Sequence, residues 1–86
     1  MTSQLRRASV SIPTNIVEGQ ASNSKKEFLS FLNIANRSAA EVEYLLELAA
    51  DLKYLPETEY SKLEAIRSET ARMISGLMKA IRSKLS

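Results

Sequence analysis

Only two short stretches interrupt the helical spacing of this chain, and they fix what it can fold into. The first reads Gly19-Gln20-Ala21-Ser22-Asn23; the second spans residues 53–57 and holds Pro56. Two glycines and two prolines in 86 residues leave few places to turn, because these are the residues that punctuate a chain. The three-and-four spacing of apolar residues predicts helices over about 2–20, 24–52 and 57–85. The fold class is all-α, one domain over residues 1–86. Short breaks make consecutive helices antiparallel neighbours, so the architecture is an antiparallel up-and-down helical bundle.

In the first helix Leu5, Ala8, Ile12 and Ile16 form one apolar stripe, and Val10 and Val17 a smaller one. Thr2 or Ser3 serves as a plain N-cap. Pro13 lies inside this pattern. It removes a donor and crowds the carbonyl of Ser9, so a kink is expected there, with an outright break at Ile12 as the competing reading. The second helix opens on Ser24-Lys25-Lys26-Glu27, a capping box. Its apolar residues, from Phe28 to Leu52, cover an arc wider than one neighbour can bury, so this helix should be central. The third follows Pro56. Tyr60, Leu63, Arg67, Thr70, Ile74, Leu77 and Ile81 make a heptad-like seam, interrupted by Arg67 and Thr70. Ile66 and Met73 widen one side of it. Gly76 is either a close-contact point or a tolerated surface glycine.

A core from so small a chain is marginal without reinforcement. There is no cysteine and no histidine, so disulfides are excluded and zinc is disfavoured. Thiol nucleophiles and imidazole acid–base catalysis go with them. Association with other chains is the remaining reinforcement. Two long helices and a shorter one leave apolar surface uncovered. Either an upstream helix or another subunit covers it. Apolar runs are short and interrupted by charge, which excludes a membrane span. The Arg- and Ser-bearing start faintly resembles a transit peptide, but the same residues pattern as a structural helix. A cytoplasmic protein is expected.

Net charge is only +2, but it is unevenly spread. Residues 1–37 carry five basic and two acidic groups, residues 38–64 two and seven, and residues 65–86 five and one. Two basic segments flank an acidic one. Arg7, Ser11, Asn15 and Glu18 share one face of the first helix. Read functionally, Arg6 and Arg7 are cations for a phosphate or partner and Asn15 a hydrogen-bonding group. The structural reading pairs Arg7 with Glu18 or Glu41 and ties Asn15 to the kink, and it is the stronger, since half-buried polar groups are usually paired. Lys25, Lys26, Arg37, Arg72, Lys79 and Arg82 are candidates for polyanion contact. The plainer reading is a solvated face. Five scattered aromatics do not support base stacking, so backbone contact with RNA or DNA is the expected mode. Glu43, Glu47 and Asp51 share a face, but without histidine they do not make the two-metal bundle pattern. No catalytic, metal or cofactor-binding residue is assigned.

The block Thr2-Ser3-Gln4-Leu5-Arg6-Arg7-Ala8, then Ser11-Ile12-Pro13, Asn15-Ile16 and Glu18-Gly19, is distinctive. With Ser24-Lys25-Lys26-Glu27-Phe28, Phe31-Leu32, Tyr60 and Met73-Ile74-Ser75-Gly76-Leu77 it resembles the four-helix-bundle family of 23S rRNA intervening-sequence proteins. The resemblance implies a bacterial, cytoplasmic helical protein assembling as a ring-shaped homopentamer, with no enzymatic activity. Similar bundles serve as accessory proteins of diversity-generating retroelements, where a basic barrel is associated with nucleic acid and a reverse transcriptase. Family chains carry another long helix before the Thr-Ser-Gln segment, so this sequence reads as the C-terminal three helices of such a bundle.

The expected function is a non-enzymatic, self-associating scaffold that contacts nucleic acid through basic patches, with no cofactor. The alternative is an adaptor that recruits a partner enzyme without touching nucleic acid.

Overall fold

The computed structural model describes residues 2–85. Three helices follow in order: α1 (Thr2–Gln20), α2 (Lys25–Asp51) and α3 (Glu57–Leu85). The chain is an elongated bundle of 45 × 21 × 14 Å.

The punctuation read from the sequence starts two of the helices. Ser24 is extended, and its side chain accepts from the Glu27 amide at 3.1 Å. That satisfies one of the four orphan donors of α2. The Pro56 carbonyl accepts from the Tyr60 amide at 2.9 Å and opens α3. Between them α2 ends without a glycine. Lys53 takes φ 63°, the Tyr54 amide donates to the Ala49 carbonyl and the Lys53 amide to the Ala50 carbonyl. This is a Schellman motif in which lysine holds the left-handed position usually given to glycine.

α1 runs unbroken through Pro13, so the reading of a break at Ile12 is corrected. A proline inside a helix costs about 3 kcal/mol. Packing of Ile12 and Ile16 against the core on either side of it opposes that cost. Asn15 Nδ2 also donates to the Ser11 carbonyl at 2.7 Å.

α2 is the central helix. α1 and α3 both pack on it, and they make no backbone approach to each other. Two clusters form the core. Leu32 and Ala35 meet Ile74, Met78 and Ile81, with Ile12, Ile16, Phe28 and Leu29 against them. Ala8, Val42 and Leu46 meet Leu5, Ile12, Leu55 and Tyr60 at the other end. The tight α1–α2 turn depends on Gly19. A β-carbon there would lie 2.6 Å from Phe28 Cδ1 and 3.2 Å from Phe31 Cβ.

α3 departs from the expected seam. Its buried residues are Ile74, Met78 and Ile81, while Leu63 and Leu77 stay about two-fifths exposed. The helix turns towards α2, its chief neighbour, and the Leu63–Leu77 edge stays open. Val10 and Val17 of α1 are exposed too. Gly76 meets nothing within 4 Å, so it is a surface glycine. Gly76→Ala is therefore expected to stabilise the fold by up to about 1 kcal/mol. A thermal melt followed by circular dichroism should show a rise of about 4–8 °C.

Candidate nucleic-acid interface

The helix directions decide which charges meet. Phe28 and Leu29 pack in one cluster with Ile81, so the start of α2 and the end of α3 share one end of the bundle. Lys25 and Lys26 precede Phe28 within one turn, and Lys79, Arg82 and Lys84 bracket Ile81. All five are exposed. α3 carries no acid after Glu69. Glu27 and Glu18 are the acids nearest this end in sequence. Among the described residues no ion pair occupies Lys25, Lys26 or Lys79. Their charges face solvent, as a phosphate-contacting surface requires.

Arg6 and Arg7 lie elsewhere. They flank Leu5 and Ala8, which pack with Val42, Leu46, Leu55 and Tyr60. That is the opposite end, about 20 Å along α1 at about 1.5 Å per residue. It also holds Glu41, Glu43, Glu47, Asp51, Glu57 and Glu59. The expected pairing of Arg7 with Glu18 or Glu41 does not occur among the described residues. Arg7 is exposed, and water solvates it at no desolvation cost. Arg37 lines a shallow depression with Ser30, Asn33, Ile34 and Asn36 on α2. Arg72 is exposed and donates from Nη1 to Ser68 Oγ at 2.9 Å.

Asn15 is structural. Besides the Ser11 carbonyl it donates to Ser11 Oγ at 3.0 Å, and Ser38 Oγ donates to the same oxygen at 2.8 Å. The network joins α1 to α2. Its half-buried hydroxyls find partners in one another.

The charged cluster that the sequence reading missed centres on Arg67. Its side chain is only 12% exposed. Nε donates to both Glu64 oxygens, at 3.1 and 2.9 Å, and Nη2 reaches Glu43 Oε2 of α2 at 3.3 Å. The Glu64–Arg67 spacing of three residues was a legible signal; Glu43 was not. The hydrogen bond from Arg67 holds the Glu64 carboxyl below its ordinary value, against the opposing effect of burial. Tyr60 is held above its ordinary value, first by partial burial and then by Glu64, Glu47 and Glu43. The Glu64 shift makes stability depend on pH. A depressed carboxylate contributes stability above its unfolded value near 4.5, lost as pH falls through the lower folded value. Stability should therefore decline on acidification below about pH 4.5, and less so in Arg67→Met. Denaturant midpoints at several pH values check this.

Arg67 also closes one side of an apolar groove between α1 and α3. The groove has a volume of about 430 Å³ and is lined chiefly by Leu5, Ile12, Ile16, Leu46, Leu63 and Ile66. Among the described residues no group of three His, Cys, Asp or Glu side chains is placed to hold a metal ion. Among the described residues no helix is long and apolar enough to cross a membrane.

The family model for 23S rRNA-intervening sequence proteins matches residues 1–76. The chain belongs to that family. A solved structure from Bacteroides thetaiotaomicron VPI-5482, a protein with unknown function from the S23 ribosomal protein family, is similar to it. The two share 32% sequence identity and a TM-score of 0.90 over 92% of this chain and 73% of the other. No curated protein matches the chain. The family membership and the all-α bundle thus agree with the resemblance drawn from the Thr2–Ala8 block, and they assign no activity.

Proposed function

We propose that this family member is a non-enzymatic, self-associating helical protein of the cytoplasm. In this reading it holds nucleic-acid backbone at the basic end of its bundle. The observation that carries the proposal is the convergence of Lys25 and Lys26 of α2 with Lys79 of α3, residues more than fifty positions apart in the sequence. Backbone contact needs cations free to meet phosphate and no particular base. The absence of both cysteine and histidine supports the non-enzymatic part.

The test compares two ends of one molecule. The double variant Lys25→Glu with Lys79→Glu should weaken RNA or DNA binding at least about tenfold and reduce the salt slope by about 1.5–2. Arg6→Glu with Arg7→Glu should stay within about twofold. Fluorescence anisotropy on monodisperse material reads both. Equal loss in the two variants would show a diffuse charge effect and no site.

The apolar groove supports a second reading, an adaptor that seats a partner's helix. Absence of nucleic-acid binding at low salt would favour it.

A further inference from the structure

The core seam between α2 and α3 runs out into charge. Phe28 and Leu29 pack in one cluster with Leu32, Ile74, Met78 and Ile81. Lys25 stands three and four residues before the first two, so it continues their face of α2 one turn beyond the apolar layer. Lys84 stands three residues after Ile81 and does the same on α3. Lys26 and Lys79 join them on the same two helices, and all four are exposed. The result is one pair of lysines on each of two helices. Packed helices have axes about 8–10 Å apart, so the two pairs stand side by side and do not fall in one line.

No exposed aromatic ring accompanies them among the described residues. Phe28 is half-buried in the core, and Phe31 is half-buried beside Gly19. Tyr60 packs in the cluster at the other end, and Tyr54 lies in the turn between α2 and α3 at that same end. Tyr44 is exposed, but it lies nineteen residues along α2 from Lys25, about 28 Å at about 1.5 Å per residue. Proteins that hold single strands combine a basic groove with rings on which the bases stack. Without a ring the lysines gain only from phosphate, and there a duplex offers more. It carries one charge per about 1.7 Å of axis, against one per about 3.4 Å for each of its strands. Its two strands also present phosphates in two rows, which two lysine pairs side by side can meet together. A single strand presents one row and loses its freedom on being held.

We propose that the ligand of the basic end is a double-stranded backbone, with Lys25 and Lys26 on one strand and Lys79 and Lys84 on the other. The proposal rests on the nucleic-acid contact proposed for this end and names the form of nucleic acid that the same site takes.

Fluorescence anisotropy on the full chain tests it, with one mixed sequence of about 20 nucleotides offered as each single strand and as the duplex, in DNA and in RNA, over a salt series. The duplex should bind about tenfold more tightly than either strand at the same salt, with a steeper salt slope, in the ratio of about 0.9 to 0.7 per phosphate contacted. Lys25→Glu with Lys26→Glu removes one pair, and Lys79→Glu with Lys84→Glu removes the other. Since the four side chains are exposed, both variants should keep the helicity and melting of the parent chain. Each should bring duplex and single strand to within about twofold of one another, because each leaves a single pair. Single strands bound as tightly as the duplex, with binding still lost in Lys25→Glu with Lys79→Glu, would overturn the duplex assignment and leave nucleic-acid contact standing. A duplex preference that survives removal of either pair would overturn the two-strand arrangement. No binding of any strand or duplex at low salt would overturn the assignment together with the contact it rests on.

Discussion

Leu32→Ala is expected to leave this protein largely unable to hold its fold. Leu32 has no exposed surface and sits where all three helices converge, among Ala35, Ile74, Met78 and Ile81, with Ile12 and Ile16 of α1 against them. Removing a buried leucine side chain costs about 2–5 kcal/mol, more where the surroundings cannot collapse. Here they cannot collapse far, because Ala35 and Ala39 already bring the helices close. A chain of 86 residues at about 0.05–0.15 kcal/mol per residue has about 4–13 kcal/mol in all. The substitution removes a large share of that. Urea denaturation at fixed protein concentration should show the midpoint fall by about half. A change under 1 kcal/mol would mean that the Leu32–Ile74 cluster is not the core.

Ile12→Asp tests the other half of the packing. Ile12 is half-buried, yet it touches both clusters, the Leu32 cluster on one side and the Val42–Leu46 cluster on the other. It also stands next to Pro13, within the turn that lacks the proline's hydrogen bond, so α1 has little spare stability at this point. A carboxylate there loses the apolar contact and must desolvate or pull the helix off α2. A loss of about 3 kcal/mol or more is expected, equivalent to about 12–24 °C in melting temperature. Hydrogen exchange should show α1 losing protection before α2 and α3. Unchanged melting would show that α1 is held by other residues than its Leu5–Ile16 stripe.

Much of this fold is legible from a few positions. Ser24 and Pro56 mark where two helices begin, because a capping hydroxyl and a proline act locally and need no tertiary partner. The central place of α2 follows from an apolar arc too wide for one neighbour. The rotation of α3 was not legible. It carries two adjacent apolar stripes, Ile74-Met78-Ile81 and Ile66-Met73-Leu77, and periodicity alone does not choose between them. The choice is made by α2, which covers only one. Position within the bundle likewise overrides position in the chain for the charges. Arg6, Arg7, Lys25 and Lys26 belong to one basic segment of sequence. The antiparallel turn sends the arginines to the acidic end and leaves the lysines beside Lys79 and Arg82. Arg67 read as an interruption of a seam, because its second carboxylate partner, Glu43, comes from another helix.

The measurement closest to the central proposal is RNA and DNA binding by fluorescence anisotropy across a salt series, on material of known mass. Several phosphate contacts per assembly predict that affinity falls steeply and log-linearly with salt. The slope should flatten in Lys25→Glu with Lys79→Glu and stay put in Arg6→Glu with Arg7→Glu. No binding at low salt, or a slope that ignores the basic end, would contradict the reading.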